Sequence, residues 1–126
     1  SKARYLKGIG ETLVKKCHSE VPETLEDLLH LPGVSYKTAY LILAKAFHHN
    51  VGIAVDTHVK RLAPRLGLST HTTPEKIGRD LEKLFSPQDY LDVNEFFILH
   101  GRALCKATPR CQECPLNDIC PYGRKN

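Results

Sequence analysis

The sequence predicts an all-α fold that ends in a small irregular segment, and three observations support this prediction. Apolar residues recur at intervals of three and four along most of the 126 residues, which is the spacing of one face of a helix. Several of these stretches begin at a capping residue and end near proline or glycine. No stretch alternates apolar and polar residues over the length of a strand. We therefore expect helices joined by short loops and no β-sheet.

Two helices are predicted ahead of residue 34. Residues 2–17 place apolar side chains at helical spacing and form an amphipathic helix. Thr24 precedes a shorter helix whose first turn is acidic. The dipeptide Pro32-Gly33 ends this second helix and begins a turn.

A third helix is predicted directly after this turn. Ser35 is a suitable N-cap, and residues 38–47 are apolar except for Thr38 and Lys45. A helix of this composition needs apolar partners around most of its circumference. It is therefore the central helix of the predicted fold.

Three more helices are predicted in the second half of the chain. A short apolar segment, residues 51–55, leads to Asp56, which caps a helix that Pro64 should end or kink. Pro74 suits the first position of the next helix, and a last helix runs from about residue 89 to the vicinity of Cys105. The remaining residues are rich in cysteine and proline and predict an irregular module.

Composition and charge narrow the classes of function. No apolar run approaches the roughly 20 residues that span a bilayer, and no secretion signal opens the sequence, so we expect neither membrane insertion nor secretion. The net charge of +4 is unevenly placed: residues 35–65 carry five Lys/Arg against one Asp/Glu, and residues 101–126 carry five against two. Such basic blocks suit the binding of phosphates, although a solvated surface has the same composition.

The five cysteines divide into one isolated residue, Cys17, and a group of four near the end of the chain. The group has the spacing C-x5-C-x2-C-x5-C and consists of Cys105, Cys111, Cys114 and Cys120. Four thiolates this close together indicate a metal centre. Their short, unequal gaps favour a 4Fe-4S cluster over a structural zinc ion, whose ligands usually form two C-x2-C pairs. Zinc is the first alternative, and disulfides or free thiols are the second. We expect Cys17 to be a buried apolar residue.

Two side chains are candidates for chemistry. Lys37 lies in the first turn of the third helix, where the positive end of the helix dipole and partial desolvation favour the uncharged amine, a nucleophile for a sugar carbon. Asp56 accepts backbone N–H bonds at a helix start and stays ionised, so it is able to stabilise positive charge on a sugar. Judged by position alone, Lys37 is more commonly a solvated or phosphate-binding lysine, and Asp56 is more commonly a simple N-cap.

The turn itself is a candidate phosphate site. Residues 31–39 join two helices, and the backbone N–H groups of the turn and of the following helix end offer a place for an anion such as a DNA phosphate. Contacts of this kind read no base sequence. A plain loop between two helices is the alternative.

Taken together, four segments resemble the endonuclease III-like helix-hairpin-helix DNA glycosylases. They are residues 31–39 (LPGVSYKTA), residues 53–59 (IAVDTHV), residues 99–102 (LHGR) and the four cysteines. The order and approximate spacing agree along the whole chain. The resemblance implies a glycosylase helical domain over residues 1–100, with its hairpin at about residues 25–48, and an iron–sulfur module over residues 101–126.

The resemblance also implies roles for individual residues. Lys37 aligns with the nucleophilic lysine of the family, Asp56 with its aspartate, and the four cysteines with its 4Fe-4S ligands. The expected DNA contacts are Pro32, Gly33, Val34, Ser35, Tyr36, Thr38 and His58. The implied activity is removal of oxidised pyrimidines from duplex DNA through a lysine Schiff base, followed by β-elimination at the abasic site. The implied partner is double-stranded DNA with a damaged base or an abasic site, and no membrane.

The chain departs from the family pattern at three places. The first gap between the clustered cysteines has five residues where the family has six, so the loop around the cluster must be tightened or rearranged. Ser35 stands where the family has the second glycine of its hairpin, and a positive φ there would strain a serine. By the resemblance, the chain starts where the second half of the family begins. We therefore expect an uncovered side on the central helix and a preceding portion, a complementing chain or self-association to cover it.

An alternative function from another class is a non-enzymatic DNA-binding remnant, which keeps the hairpin and the cluster without a complete lesion pocket. For either function, DNA and reduced thiols must occur together. We therefore expect the cytoplasm or nucleoid of a prokaryote, or the nucleus or a DNA-containing organelle of a eukaryote.

Overall fold

The structure, a computed structural model, describes residues 1–126 and contains helices and turns without any strand. The predicted all-α class is confirmed. The chain divides into two compact units, Ser1–Val51 and Gly52–Asn126. None of its helices combines the length and the hydrophobicity needed to cross a membrane.

The first unit contains three helices: α1 Lys2–Lys16, α2 Leu25–Leu29 and α3 Tyr36–Phe47. Its core consists of Leu28, Leu31, Ala39 and Leu43. The amphipathic helix α1 contributes Ile9 and Leu13, which pack partly buried against this core. The apolar side chains of Leu6 and Val14 on α1 remain exposed.

The central helix α3 is only partly buried. Its buried residues are Ala39, Leu43 and Ala44, whereas Tyr36 at its start exposes 54% of its surface. Within this unit α2 is the helix packed most extensively against α3. The exposed residues of α3 lie near its two ends, whereas Leu41 and Ile42 in its middle are half-buried. An uncovered side of α3 stays a prediction.

The second unit contains α4 Thr57–Arg65, α5 Pro74–Leu84 and α6 Tyr90–Ala103, followed by the cysteine segment with two short 3-10 turns. Its core consists of Ile53, Val59, Ala63, Ile77, Leu81 and Val93. Pro64 is the penultimate residue of α4, so the helix ends one residue after it. A proline lacks a backbone N–H and disfavours a longer helix. The cysteine segment lies in the same compact unit as α4, α5 and α6, and residues 101–126 remain a proposed module.

Three helices start at the caps that the sequence predicts. The hydroxyl of Thr24 accepts a hydrogen bond from the N–H of Asp27 at 3.2 Å. The carboxylate of Asp56 accepts one from the N–H of Val59 at 2.9 Å, and Ser35 caps α3 in the same way. Each cap satisfies a backbone donor that the first helical turn leaves free.

The loop between α4 and α5 is held by Asp80 of α5. Oδ2 of Asp80 accepts a hydrogen bond from Oγ of Ser69 at 2.7 Å and lies 2.7 Å from Nδ1 of His71. Oγ of Ser69 in turn accepts a hydrogen bond from the backbone N–H of His71 at 3.1 Å. The hydrogen bond from Ser69, followed by that from His71, lowers the pKa of Asp80 below its ordinary value.

This link predicts a pH-dependent contribution to stability. Because the pKa of Asp80 is lower in the folded protein than in the unfolded chain, its carboxylate stabilises the fold above the ordinary aspartate pKa of about 3.9. That contribution is lost as the pH falls through the lowered value. We expect the free energy of unfolding to fall more steeply below about pH 4 in the wild type than in Asp80→Asn. Denaturant unfolding of both proteins checks this, and parallel pH profiles would contradict it.

Candidate functional site

The turn of the hairpin depends on one glycine. Gly33 has φ +73°, a conformation that residues with a Cβ rarely adopt, and the N–H of Val34 donates to the carbonyl of Leu31 at 3.2 Å. The ring of Tyr5 packs against Gly33, so that a Cβ at this position would lie 2.7 Å from Cγ of Tyr5. Both the backbone and the space at Gly33 therefore require glycine.

Ser35 fits the hairpin without strain. Its φ is −89°, its Oγ accepts a hydrogen bond from the N–H of Thr38, and it is the N-cap of α3. The distance between Oγ of Ser35 and the backbone N of Thr38 is 3.4 Å. The concern that a second glycine is needed here is wrong for this chain, because the position is extended and the hydroxyl serves as the cap.

Lys37 is the second residue of α3, and its side chain is exposed. The expectation of partial desolvation is therefore wrong for this structure, because the first turn of α3 lies outside the covered part of the helix. The neighbouring residues Gly33, Ser35 and Tyr36 are also exposed, whereas Pro32, Val34 and Thr38 are half-buried. The turn thus presents an amine and backbone groups on an open surface.

Asp56 ends a buried segment of the second unit that two side chains hold in place. The N–H of Ile53 donates to Oε1 of Glu82 at 3.0 Å, and Nδ2 of the buried Asn94 donates to the carbonyl of Ala54 at 2.8 Å. Asp56 itself is half-buried, with Oδ1 on the N–H of Val59. The backbone before the carboxylate and the carboxylate itself are therefore both fixed.

His58 and Arg61 follow on α4 and contact the last helix of the unit. His58 is half-buried, with Nδ1 3.1 Å from Nη2 of Arg61. Nη2 of Arg61 donates to the carbonyl of Gly101 at 3.2 Å, and Nε donates to the carbonyl of Cys105 at 3.1 Å. The absence of a side chain at Gly101 makes room for both, since a Cβ there would lie 2.7 Å from Nδ1 of His58.

The four clustered cysteines line one cavity. All four are free and half-buried, and they line one small cavity of about 20 Å³ together with apolar residues that include Leu66, Leu104 and Leu116. No three His, Cys, Asp or Glu side chains are grouped so that they could hold a single metal ion. Thiols spaced around one void suit a polynuclear cluster, whose iron atoms each take one thiolate, better than a zinc ion that needs all its ligands at about 2.3 Å. The residues present therefore fit an iron–sulfur cluster.

Cys17 is not among the residues that line this cavity. It follows the last residue of α1 as its C-cap and is half-buried rather than fully buried. It lines a separate surface depression of the first unit, beside Lys16 and His30. The prediction that Cys17 is buried is therefore wrong, because the end of α1 covers its sulfur only in part.

Sequence reasoning missed the residues that join distant parts of the second unit. Asn94, Arg61 and Arg65 each hydrogen-bond to backbone carbonyls about 40 residues away. No local pattern shows which distant carbonyls these side chains bind. The sequence indicates only that Arg61 and Arg65, four residues apart on the helix that Asp56 begins, project from the same face.

The model of the HhH-GPD superfamily base excision DNA repair proteins matches residues 1–87. The chain belongs to this superfamily. Within the chain, the HhH-GPD match includes both the hairpin with Lys37 and the helix start with Asp56. A second model, the iron–sulfur binding domain of endonuclease III, matches residues 108–120 and so includes every clustered cysteine except Cys105. The iron–sulfur cofactor predicted for this HhH-GPD chain is confirmed over the zinc alternative.

Individual relatives of this HhH-GPD chain are endonucleases III. That of Synechocystis sp. is 47% identical over 125 residues, which are 98% of this chain and 57% of that protein. That of Treponema pallidum is 40% identical over 122 residues, which are 95% of this chain and 57% of that protein.

The fold of this HhH-GPD chain is also that of a solved endonuclease III. The structure described as a trapped endonuclease III–DNA covalent intermediate has a TM-score of 0.91 and 36% identity, covering 98% of this chain and 59% of that one. The predicted glycosylase fold is confirmed. The chain spans about three fifths of the length of these three relatives.

Proposed function

We propose that the protein containing this chain is a DNA glycosylase with abasic-site lyase activity, which removes oxidised pyrimidines from duplex DNA. The observation that carries the proposal is the position of Lys37, an exposed amine in the first turn of α3, four residues after the glycine of the hairpin turn. The solved relative is named as a trapped covalent intermediate with DNA. An amine at the hairpin is the group best suited to form such a bond.

The proposed reaction begins with attack of the uncharged Nζ of Lys37 on C1′ of a nucleotide that has been extruded from the helix. The N-glycosidic bond breaks, and its electron pair leaves with the base. As the sugar ring opens, one proton of the amine passes to the ring oxygen and the other to the departing base, and an imine joins Nζ to C1′. The imine acidifies C2′, so that loss of a proton there breaks the C3′–O bond and cuts the strand.

Asp56 has the supporting role in this proposal. Its carboxylate stabilises the positive charge that grows on the sugar as the base departs. The cap that it makes with the N–H of Val59 holds this carboxylate in a fixed orientation. Because the same carboxylate also caps α4, the two roles need separate tests.

The proposed partner is double-stranded DNA that carries a damaged base or an abasic site. The hairpin binds the phosphate backbone through its N–H groups and the N-terminus of α3. The proposed DNA contacts are Pro32, Gly33, Val34, Ser35, Tyr36, Thr38 and His58. Such a protein works where DNA and reduced thiols occur together.

The proposed ligands of the cluster are Cys105, Cys111, Cys114 and Cys120. When bound, the cluster supplies four strong bonds that fix an irregular segment which has little core of its own. This segment carries Lys106 and Arg110, both exposed, close to the expected ligands. The role of the cluster in the proposal is therefore to shape the loop and not to take part in base removal.

Reductive trapping tests the proposal. The protein is incubated with duplex DNA containing one abasic site, and borohydride reduces any imine to a stable amine. We expect a covalent protein–DNA adduct with the wild type and none with Lys37→Ala, because the proposal assigns the imine to the amine of Lys37. Gel electrophoresis under denaturing conditions measures the adduct.

Lys76→Ala is the matched control for this experiment. Lys76 is also an exposed lysine in the first turn of a helix, α5, so its loss removes the same charge from a similar position. We expect it to be trapped as the wild type is. Absence of an adduct with the wild type would support the DNA-binding remnant instead, and an adduct that survives Lys37→Ala would remove Lys37 from the mechanism.

A further inference from the structure

Arg65, the last residue of α4, is bonded to the segment that follows the first clustered cysteine. Its Nη1 donates to the carbonyl of Lys106 at 2.6 Å, and its Nη2 donates to the carbonyl of Ala107 at 3.0 Å. The same Nη1 lies 3.4 Å from Sγ of Cys105 and donates to it. A guanidinium presents its donors in a rigid fork, so one side chain holds the backbone on both sides of Ala107 and touches the sulfur of a proposed ligand.

Arg65 also contacts the other end of the cysteine segment. Its backbone carbonyl accepts a hydrogen bond from the N–H of Tyr122 at 3.3 Å and lies 3.4 Å from Sγ of Cys120. The guanidinium carbon is 4.6 Å from the centre of the Tyr122 ring, a cation–π distance. Arg65 is half-buried, so these contacts are partly shielded from water and salt.

We propose that Arg65 is a positioning residue for the iron–sulfur cluster, which ties the first and last cysteine ligands together and places a positive charge beside Sγ of Cys105. The proposal rests on the iron–sulfur domain and not on the lyase reaction. Outer contacts that orient metal ligands commonly change metal affinity by about 10–100-fold. Hydrogen bonds to the sulfurs also set the reduction potential of such clusters, and a nearby cation stabilises the more negative, reduced cluster.

The test compares the holoprotein with Arg65→Met and Arg65→Lys. We expect Arg65→Met to lose iron to a chelator about 10–100-fold faster than the wild type, followed by the decay of visible absorption. In the molecules that retain the cluster, we expect a lower midpoint potential, measured with an electrode as the source of electrons. Arg65→Lys keeps the charge without the fork, so its potential should stay closer to that of the wild type while iron loss is accelerated.

Arg102→Met is the matched control. Arg102 is an exposed arginine in the last turn of α6, just before the cysteine segment, and we expect its loss to leave both measurements unchanged. Equal iron loss and equal potentials in Arg65→Met and Arg102→Met would overturn the proposal. If Arg65→Met does not fold, wild-type iron loss in Arg65→Lys would overturn it as well. Faster iron loss at an unchanged potential would overturn the proposed effect of charge.

Discussion

Base removal is expected to be about 10²–10³-fold slower in Asp56→Asn than in the wild type, at nearly unchanged stability. Asparagine and aspartate are equally good N-caps, so an amide oxygen can keep the hydrogen bond that Oδ1 of Asp56 accepts from Val59 at 2.9 Å. The substitution removes only the negative charge. Single-turnover release of an oxidised pyrimidine from duplex DNA measures the rate, and thermal unfolding measures the stability.

Two further measurements separate the carboxylate from the cap. Asp56→Ala loses both, and we expect it to lower the free energy of unfolding by about 1 kcal/mol in addition to slowing the reaction. On DNA that already lacks the base, Asp56→Asn should form the trapped adduct with a much smaller deficit, because no base has to depart. If Asp56→Asn released the base at the wild-type rate, Asp56 would act only as a helix cap.

Gly33→Ala is expected to lower the free energy of unfolding by about 1–3 kcal/mol and to weaken DNA binding. The φ of +73° at Gly33 disfavours alanine, and the added Cβ would meet the ring of Tyr5 at 2.7 Å. Either the turn or the ring must move. Denaturant unfolding and binding to abasic-site DNA check the two effects.

Gly10→Ala is the matched control for Gly33→Ala. A double variant with Tyr5→Ala then separates the cost of the collision with Tyr5 from the cost of the backbone conformation. Gly10 lies in α1 with open space around it, so alanine there should stabilise the protein by about 0.5–1 kcal/mol. Adding Tyr5→Ala to Gly33→Ala removes the collision but keeps the backbone cost. The double variant should therefore show a coupling between the two positions, and strictly additive effects would contradict the contact between Tyr5 and Gly33.

The sequence alone predicts the parts of this structure that depend on neighbouring residues. Thr24, Ser35 and Asp56 cap helices where expected, because a cap is a contact between residues three apart. The four cysteines indicate a shared centre because their spacing is local too. Helices, turns and candidate groups are therefore predictable from the sequence.

The long-range contacts and the burial of helix faces depend on residues far apart in the sequence, and no short sequence pattern predicts them. Asn94 holds the carbonyl of Ala54 and Arg65 holds that of Lys106, across about 40 residues in each case. The exposure of Lys37 was also mispredicted, because the apolar composition of α3 does not say which side of the helix is covered. Burial of a helix face is a property of its partners, and sequence periodicity describes only the helix itself.

The extended backbone at Ser35 changes how hairpins of this kind should be sought in genomes. A search pattern that demands glycine at both ends of the turn would pass over this chain, although only Gly33 adopts a left-handed conformation there. A hydroxyl residue two places after the glycine preserves the geometry by capping the next helix. Looser patterns that admit serine at that place would recover members that strict ones discard.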